Sequence, residues 1–436
     1  MASTKKSVES LQKELDDYCT ALSKLGYFNG SVLVALEGTV FINKGFGMAN
    51  IELEVVNTSK TIFGIGSISK QFTAAAILVL QEKNLIRVTE PISKYLPEYP
   101  NGEKITIHHL LTHSSGIPNY TELSNFDETV KFPVTIEERV NYFKDVPLVF
   151  EPGERFEYCN SNYALLTYII EIITNRSFES ILNDIFFNPL GMKHTGRYDY
   201  RKIIKNRASS YGLLGDIVNA EFMDMSHFSG DGGLYSTTED LFIWDQALHS
   251  GKILHKESYS LMTTIHEANY GYGLILFEER IRNKARKVIA HGGGIKGFVC
   301  DFRNYIDDKL TIIVLSNFFT TQSRKVANAL ARIVLNEEVS LPDQLEMVPL
   351  VYRYDHFIGD YKVYEGPYNT YSVSSKDGKL YISNDLNWYR AEIIPYSQEV
   401  EDISFFTKGI EGGSVTFKKG EIHVNVFGML SKATKI

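Results

Sequence analysis

The sequence predicts an α/β fold followed by a small all-β barrel or sandwich, and three observations carry that reading. Strand patterns near residues 30–46 and from 287 onward bracket a long stretch of helix and loop. One sheet is therefore completed by distant segments around a helical insertion at roughly 85–230. Composition changes at 337–350, "EEVSLPDQLEMVPL", which reads as a linker. Beyond it the chain alternates in short strands with no helix. The expected division is 1–340 for the α/β unit and 350–436 for a separable small β-barrel.

Taken in order, residues 7–25 form an amphipathic helix. Val8, Leu11, Leu15, Tyr18, Leu22 and Leu25 recur at helical spacing, and Gly26 stops it. "GSVLVALEGTVFINKGFG" is a hairpin turning near Glu37-Gly38. Residues 62–81, "IFGIGSISKQFTAAAILVLQ", open like a strand and end like a buried helix. "YALLTYIIEIIT" is a helix, and "DGGLYSTTEDLFIWDQALHSG" is a Thr or Ser cap followed by another. Three strands follow, "KVIAHGG", "GFVCDFRNYI" and "KLTIIVLSNF", the last two joined at Asp307-Asp308, and then a helix at about 323–336. The tail supplies five or six strands, with turns at Asp377-Gly378 and Lys419-Gly420. The sequence shows no internal repeat and no low-complexity tract.

Composition narrows the function classes. Hydrophobic residues make up 44% and charged residues 22%, ordinary for a globular protein. A formal net charge of −8 with no basic stripe argues against nucleic-acid or anionic-membrane partners. Cys19, Cys159 and Cys300 cannot all pair and fit no metal spacing, so they read as free thiols. No apolar run reaches the length of a membrane span. The N-terminus has charge but no apolar signal core. The expected compartment is the cytoplasm, or an extracytoplasmic one if a leader has been removed.

Ser-x-x-Lys occurs three times, from Ser3 to Lys6, Ser10 to Lys13 and Ser67 to Lys70. The first two lie in a polar segment and need no function. A serine before a helix is usually only a cap. The third precedes "FTAAAILVLQ", apolar on nearly every face. Ser67 and Lys70 then lie side by side at the positive end of a buried helix. Burial and that positive end both favour a neutral amine, and a neutral amine beside a hydroxyl can act as its base. Gly64 and Gly66 allow a tight backbone that leaves the Ser67 N–H free to face a ligand. The competing reading is a lysine that reaches out to solvent.

Two further stretches carry chemistry. In "FEPGERFEYCNSNYALL", Tyr158 and Asn160 sit just before a helix. A buried tyrosine there can relay a proton, and the asparagine amide can orient a ligand. Alone, a Tyr-x-Asn is more often an ordinary helix entry. In "VIAHGGGIKGF", three glycines after a strand mean close backbone approach by a ligand or another strand, or a simple strand bend. Gly292 to Gly297 also fits G-x-G-x-x-G, but a strand follows where a dinucleotide site needs a helix. His-Gly-Gly-Gly without any G-x-S-x-G elbow argues against an α/β-hydrolase. His109 and His113, four apart, could share a helix face and bind metal, but no third ligand is evident, and no metal or cofactor is expected.

"SISK", "YCN" and "HGG", in this order and at these separations, resemble the serine β-lactamase and penicillin-binding-protein family. The nearest likeness is to the class C β-lactamase-like branch, with its D-aminopeptidases, carboxypeptidase-like proteins and esterases. "LLTHSSGIP", "NPLGMKHTG", "GGLYSTTEDL" and "IVLSN" support it, and the likeness spans roughly residues 28–335. The tail resembles, more loosely, a lipocalin-like C-terminal domain. The resemblance implies a β-lactamase/transpeptidase-like fold: an antiparallel sheet flanked by helices plus an all-helical subdomain. It implies Ser67 as acylated nucleophile, Lys70 as its basic partner and Tyr158 as general base or acid. Asn160 would hold the substrate's amide, and His291, Gly293 and Gly294 would line the substrate strand. The oxyanion hole would use the N–H groups of Ser67 and Gly294.

Two positions depart from the pattern. Cys159 replaces the usual serine and is given no role, and His291 replaces lysine. A histidine there, at the rim of the cleft and with an ordinary pKa near 6.5, attracts a carboxylate less than lysine does. The expected activity is hydrolysis of small esters, amides or D-amino-acid peptides. The alternatives are a true β-lactamase or D-Ala-D-Ala carboxypeptidase, or a penicillin-binding sensor that acylates without turnover. The expected partner is a small-molecule or peptide substrate, and an oligomer is allowed.

Overall fold

The computed structural model describes residues 7–342, 355–398, 403–418 and 420–436. Helix α1 (Val8–Lys24) is capped by the Ser7 hydroxyl, which accepts the Ser10 N–H, and it buries Leu11, Leu15, Tyr18, Cys19 and Leu22. Strands β1 (Gly30–Leu36) and β2 (Thr39–Phe46) form the expected hairpin. Glu37 and Gly38 both take positive φ, as a tight two-residue turn requires. Next come α2 (Ser69–Glu82), α3 (Ile107–Leu111) and α4 (Asn160–Thr174). A hairpin of β3 (Tyr211–Leu214) and β4 (Asp216–Asn219) precedes α5 (Thr238–His249), whose cap is Thr237. Strands β5 (Ile275–Ile281), β6 (Lys284–Ile295), β7 (Phe298–Tyr305) and β8 (Leu310–Ser316) lead to α6 (Ser323–Val334).

The main sheet has the order β5-β6-β7-β8-β1-β2. β1 pairs antiparallel with β8 from Gly30 opposite Ser316 to Leu36 opposite Leu310, so the first strand closes on the last. Alternation along β1 sorts its side chains between two cores. Val32 and Val34 join α1 and α6 on one face. Leu33 and Ala35 join α2 and the helical region on the other. α2 is buried on nearly every face, with Phe72, Ala74, Ala75, Ala76, Ile77 and Leu78 fully enclosed. It is the centre of the larger core rather than a surface helix.

Three expectations are corrected. The sheet's C-terminal half has four strands, because β5 joins β6 through Arg282-Asn283, both at positive φ. The 85–230 region contains the β3–β4 hairpin as well as helices. The tail has eight strands rather than five or six: β9 (Gly359–Glu365), β10 (Thr370–Lys376), β11 (Lys379–Asn384), β12 (Arg390–Gln398), β13 (Ile403–Thr407), β14 (Ser414–Lys418), β15 (Glu421–Val426) and β16 (Met429–Lys435). They pair in the order β11-β10-β9-β16-β15-β14-β13-β12, and β11 pairs with β12 to close the barrel. The turn at Asp377-Gly378 is present, with both residues at positive φ. Ser3 to Lys6, most of the 337–350 linker and Lys419 lie outside the described residues.

The barrel is docked on the α/β unit. Tyr211, Leu213 and Phe318 pack into its core beside Tyr389 and Phe405. The Gly215 N–H donates to the Arg390 carbonyl, and Lys325 pairs with Glu411 at 2.7 Å.

Candidate active site

The chain enters α2 through a 3₁₀ turn, Gly66–Ile68, which places Ser67 one turn before Lys70. Lys70 is fully buried. Its Nζ lies 3.1 Å from Ser67 Oγ, 2.8 Å from Asn160 Oδ1 and 2.5 Å from the Asp231 carbonyl oxygen. All three partners are neutral oxygens. Nζ donates to each of them, and the two carbonyl-type acceptors hold it beside the Ser67 hydroxyl. The lysine does not reach solvent. Asn160 therefore anchors Lys70, and its Nδ2 faces Thr121 Oγ1 at 3.4 Å.

The glycines bring β6 against this turn. A Cβ on Gly293 would lie 2.0 Å from the Ile65 carbonyl oxygen, and one on Gly66 2.6 Å from the Gly294 nitrogen. Gly66 also has φ +51. Only glycine allows the two backbones to touch here. The ladder between β5 and β6 ends at Ile275 opposite Ala290, so within the sheet residues 291–295 are paired by β7 alone.

Tyr158 is half-buried, with its ring centroid 4.9 Å from Lys70 Nζ. Cys159 points away from the lysine and donates its thiol to the Ile117 carbonyl. Burial pushes that thiol up to about 11, so it stays protonated. His291 departs from expectation. It is 3% exposed, not at a solvent-facing rim. Its Nδ1 donates to the Gly292 carbonyl at 2.6 Å, so Nε2 accepts from the Tyr270 hydroxyl at 3.0 Å. Burial, and then the nearby Lys70, push its pKa down to about 4. His109 and His113 do not form a helical pair. α3 ends at Leu111, His109 serves in the Thr106 capping box, and His113 takes φ +56 beyond the helix.

Several residues of the site lie outside the sequence motifs. Asp231 lies in "SGDGG"; its flanking glycines could have marked it. Its carboxylate accepts from Tyr120 Oη at 2.6 Å and the Ser229 N–H at 2.8 Å, and it pairs with the buried Arg139 at 3.3 Å. That clamp fixes the carbonyl on which Lys70 rests. Tyr163 and Tyr270 are buried, and their hydroxyls are held well above the usual tyrosine range by burial. A separate cavity of about 710 Å³ lies between β7, the first turn of α6 and Tyr368, Trp388 and Phe427 of the barrel. Gly292 and Gly293 line it, but Ser67, Lys70 and Tyr158 do not.

Known proteins resemble this chain, some in sequence and some in fold. Penicillin-binding protein 4* of Bacillus subtilis (strain 168) is 28% identical over 420 residues, covering 89% of this chain and 91% of that protein. The putative penicillin-binding protein PbpX of the same strain is 33% identical over 270 residues, 62% of this chain and 66% of that one. The octameric penicillin-binding protein homologue from Pyrococcus abyssi superposes with a TM-score of 0.67 at 26% identity, over 98% of this chain and 100% of that chain. D-amino acid amidase from Ochrobactrum anthropi SV3 shares the fold, with a TM-score of 0.65 at 22% identity over 76% of this chain and 98% of that one. The sequence family described as Beta-lactamase matches residues 15–336, a span that contains Ser67, Lys70, Tyr158 and His291. With that match running through most of the α/β unit, the chain belongs to the β-lactamase family of serine hydrolases.

Proposed function

We propose that the protein hydrolyses small esters, amides or D-amino-acid peptides through an acyl-enzyme on Ser67. The observation that carries this reading is the buried Lys70, held by two neutral acceptors beside Ser67 Oγ. Lys70 takes the hydroxyl proton as Oγ attacks the substrate carbonyl. The Ser67 and Gly294 amides, brought together by the glycine contact, face the developing oxyanion. Tyr158, beside Lys70, passes the proton to the leaving group, and water then releases the acyl group. D-amino acid amidase, named among the solved neighbours, supports the amide and D-amino-acid side of this reading. The octameric homologue supports a self-associating protein.

Substrate choice turns on His291. Its low pKa keeps it neutral above about pH 5, and both ring nitrogens are already bonded within the protein. It therefore adds no Coulomb attraction for a carboxylate. A panel of p-nitrophenyl esters, D-aminoacyl anilides and a chromogenic cephalosporin tests this. Uncharged esters and D-aminoacyl anilides should turn over at least as well as the carboxylate-bearing cephalosporin. A stoichiometric burst without turnover on every substrate would contradict the hydrolase reading. Between pH 5.5 and 8 the ratio of KM for anionic and neutral substrates should stay flat, because His291 gains its proton only as the pH falls toward 4. A ratio that changes near pH 6.5 would show a titrating, substrate-facing imidazole instead.

A further inference from the structure

His113 is buried to 0% exposure and lies just past α3 at φ +56, a conformation uncommon for a non-glycine residue. Its carbonyl oxygen accepts the Glu157 N–H at 2.9 Å, and its Nδ1 accepts the Cys159 N–H at 3.1 Å. The amides on both sides of Tyr158 therefore end on one residue. The imidazole also lies against the phenol ring, with centroids 4.4 Å apart and planes 36° apart. Since Nδ1 accepts, the proton sits on Nε2. That nitrogen is buried among the rings of Phe156, Tyr163 and Tyr270 with no hydrogen-bond partner among the described residues. A lone buried donor is costly, so its retention calls for a reason beyond packing.

We infer that His113 is the positioning residue of Tyr158, fixing the phenol against Lys70 by two main-chain bonds and one ring contact. The inference rests on Tyr158 as the proton-transfer group. It adds that the placement of this group is set from residue 113, not only by the entry into α4. The neutral imidazole is the form the clamp needs, because a proton on Nδ1 would face the Cys159 N–H. Burial, and then Lys70 and His291, hold it in that form.

The test uses the full chain, p-nitrophenyl acetate for turnover and a fluorophosphonate to count reactive Ser67 sites. His113→Phe keeps a ring and removes the acceptor. His113→Asn keeps an acceptor at the same bond distance and tolerates positive φ. Per titrated site, His113→Phe should lower kcat by about 10- to 100-fold with KM changed less than about threefold, the scale of a misplaced reacting group. His113→Asn should recover to within about fivefold of the native rate. Should His113→Phe not fold, His113→Gln, whose acceptor lies one bond further out, takes its place with the same expected loss. In a Tyr158→Phe background the same replacement should cost less than about twofold, because residues acting through one group are not additive. An unchanged kcat per titrated site, or losses that multiply across the two positions, would overturn the inference. Failure of the native protein to take up the fluorophosphonate would instead overturn the nucleophile reading and is seen separately.

Discussion

Replacing Lys70 by methionine should lower kcat on p-nitrophenyl acetate at least about 10²-fold, the scale of losing general-base assistance. Methionine is close to lysine in length but offers neither the N–H bonds nor the lone pair. Three consequences combine. Ser67 Oγ loses the group 3.1 Å away that can take its proton. The Asn160 amide oxygen and the Asp231 carbonyl lose their shared donor. The nearby His291 cannot stand in as the base, because it is locked between Gly292 and Tyr270. Circular dichroism and thermal unfolding of the variant separate lost reactivity from lost folding. Turnover within about threefold of native in a folded Lys70→Met protein would show that another group activates Ser67.

Gly293→Ala should be as damaging by a different route. The added methyl would sit 2.0 Å from the Ile65 carbonyl oxygen, with backbone and not a flexible side chain in the way. Either β6 or the Ser67 turn must move. Overpacking of this kind costs about 1–3 kcal/mol of stability. Separating the two amides that face the oxyanion should lower kcat by about 10²-fold or more. Gly294→Ala is the control. A Cβ there meets nothing within 4 Å and its φ is ordinary, so stability should change by less than about 0.5 kcal/mol. Thermal unfolding of both variants beside kcat checks this. Equal Tm losses in the two would mean that backbone contact is not what Gly293 provides.

The features legible in the sequence were those set by short-range chemistry. The α1 stripe, the Glu37-Gly38 turn and the apolar run after Lys70 each express their structure within a few residues. The "SISK", "YCN" and "HGG" segments do converge, since Lys70 bonds both Ser67 and Asn160 and Gly293 meets the Ser67 turn. Strand β5 was missed because it is an edge strand carrying Glu278, Glu279 and Arg280, and its turn, Arg282-Asn283, lacks the glycine that usually announces a hairpin. The β3–β4 hairpin was missed because it finds its partners in the barrel, more than 150 residues away along the chain, at Arg390. Asp231 contributes a main-chain oxygen to Lys70, and a backbone atom has no side-chain signature. His291 looked like a rim residue because nothing near it in sequence reveals Tyr270 or the burial that suppresses its charge.

The proposed function depends on acylation of Ser67. Intact-mass and peptide mass spectrometry after reaction with a fluorophosphonate or a penicillin measures it. The expected result is one covalent adduct, carried by the peptide containing Ser67, absent from Ser67→Ala together with turnover. An adduct that persists in Ser67→Ala, or one that maps to another peptide, would contradict it.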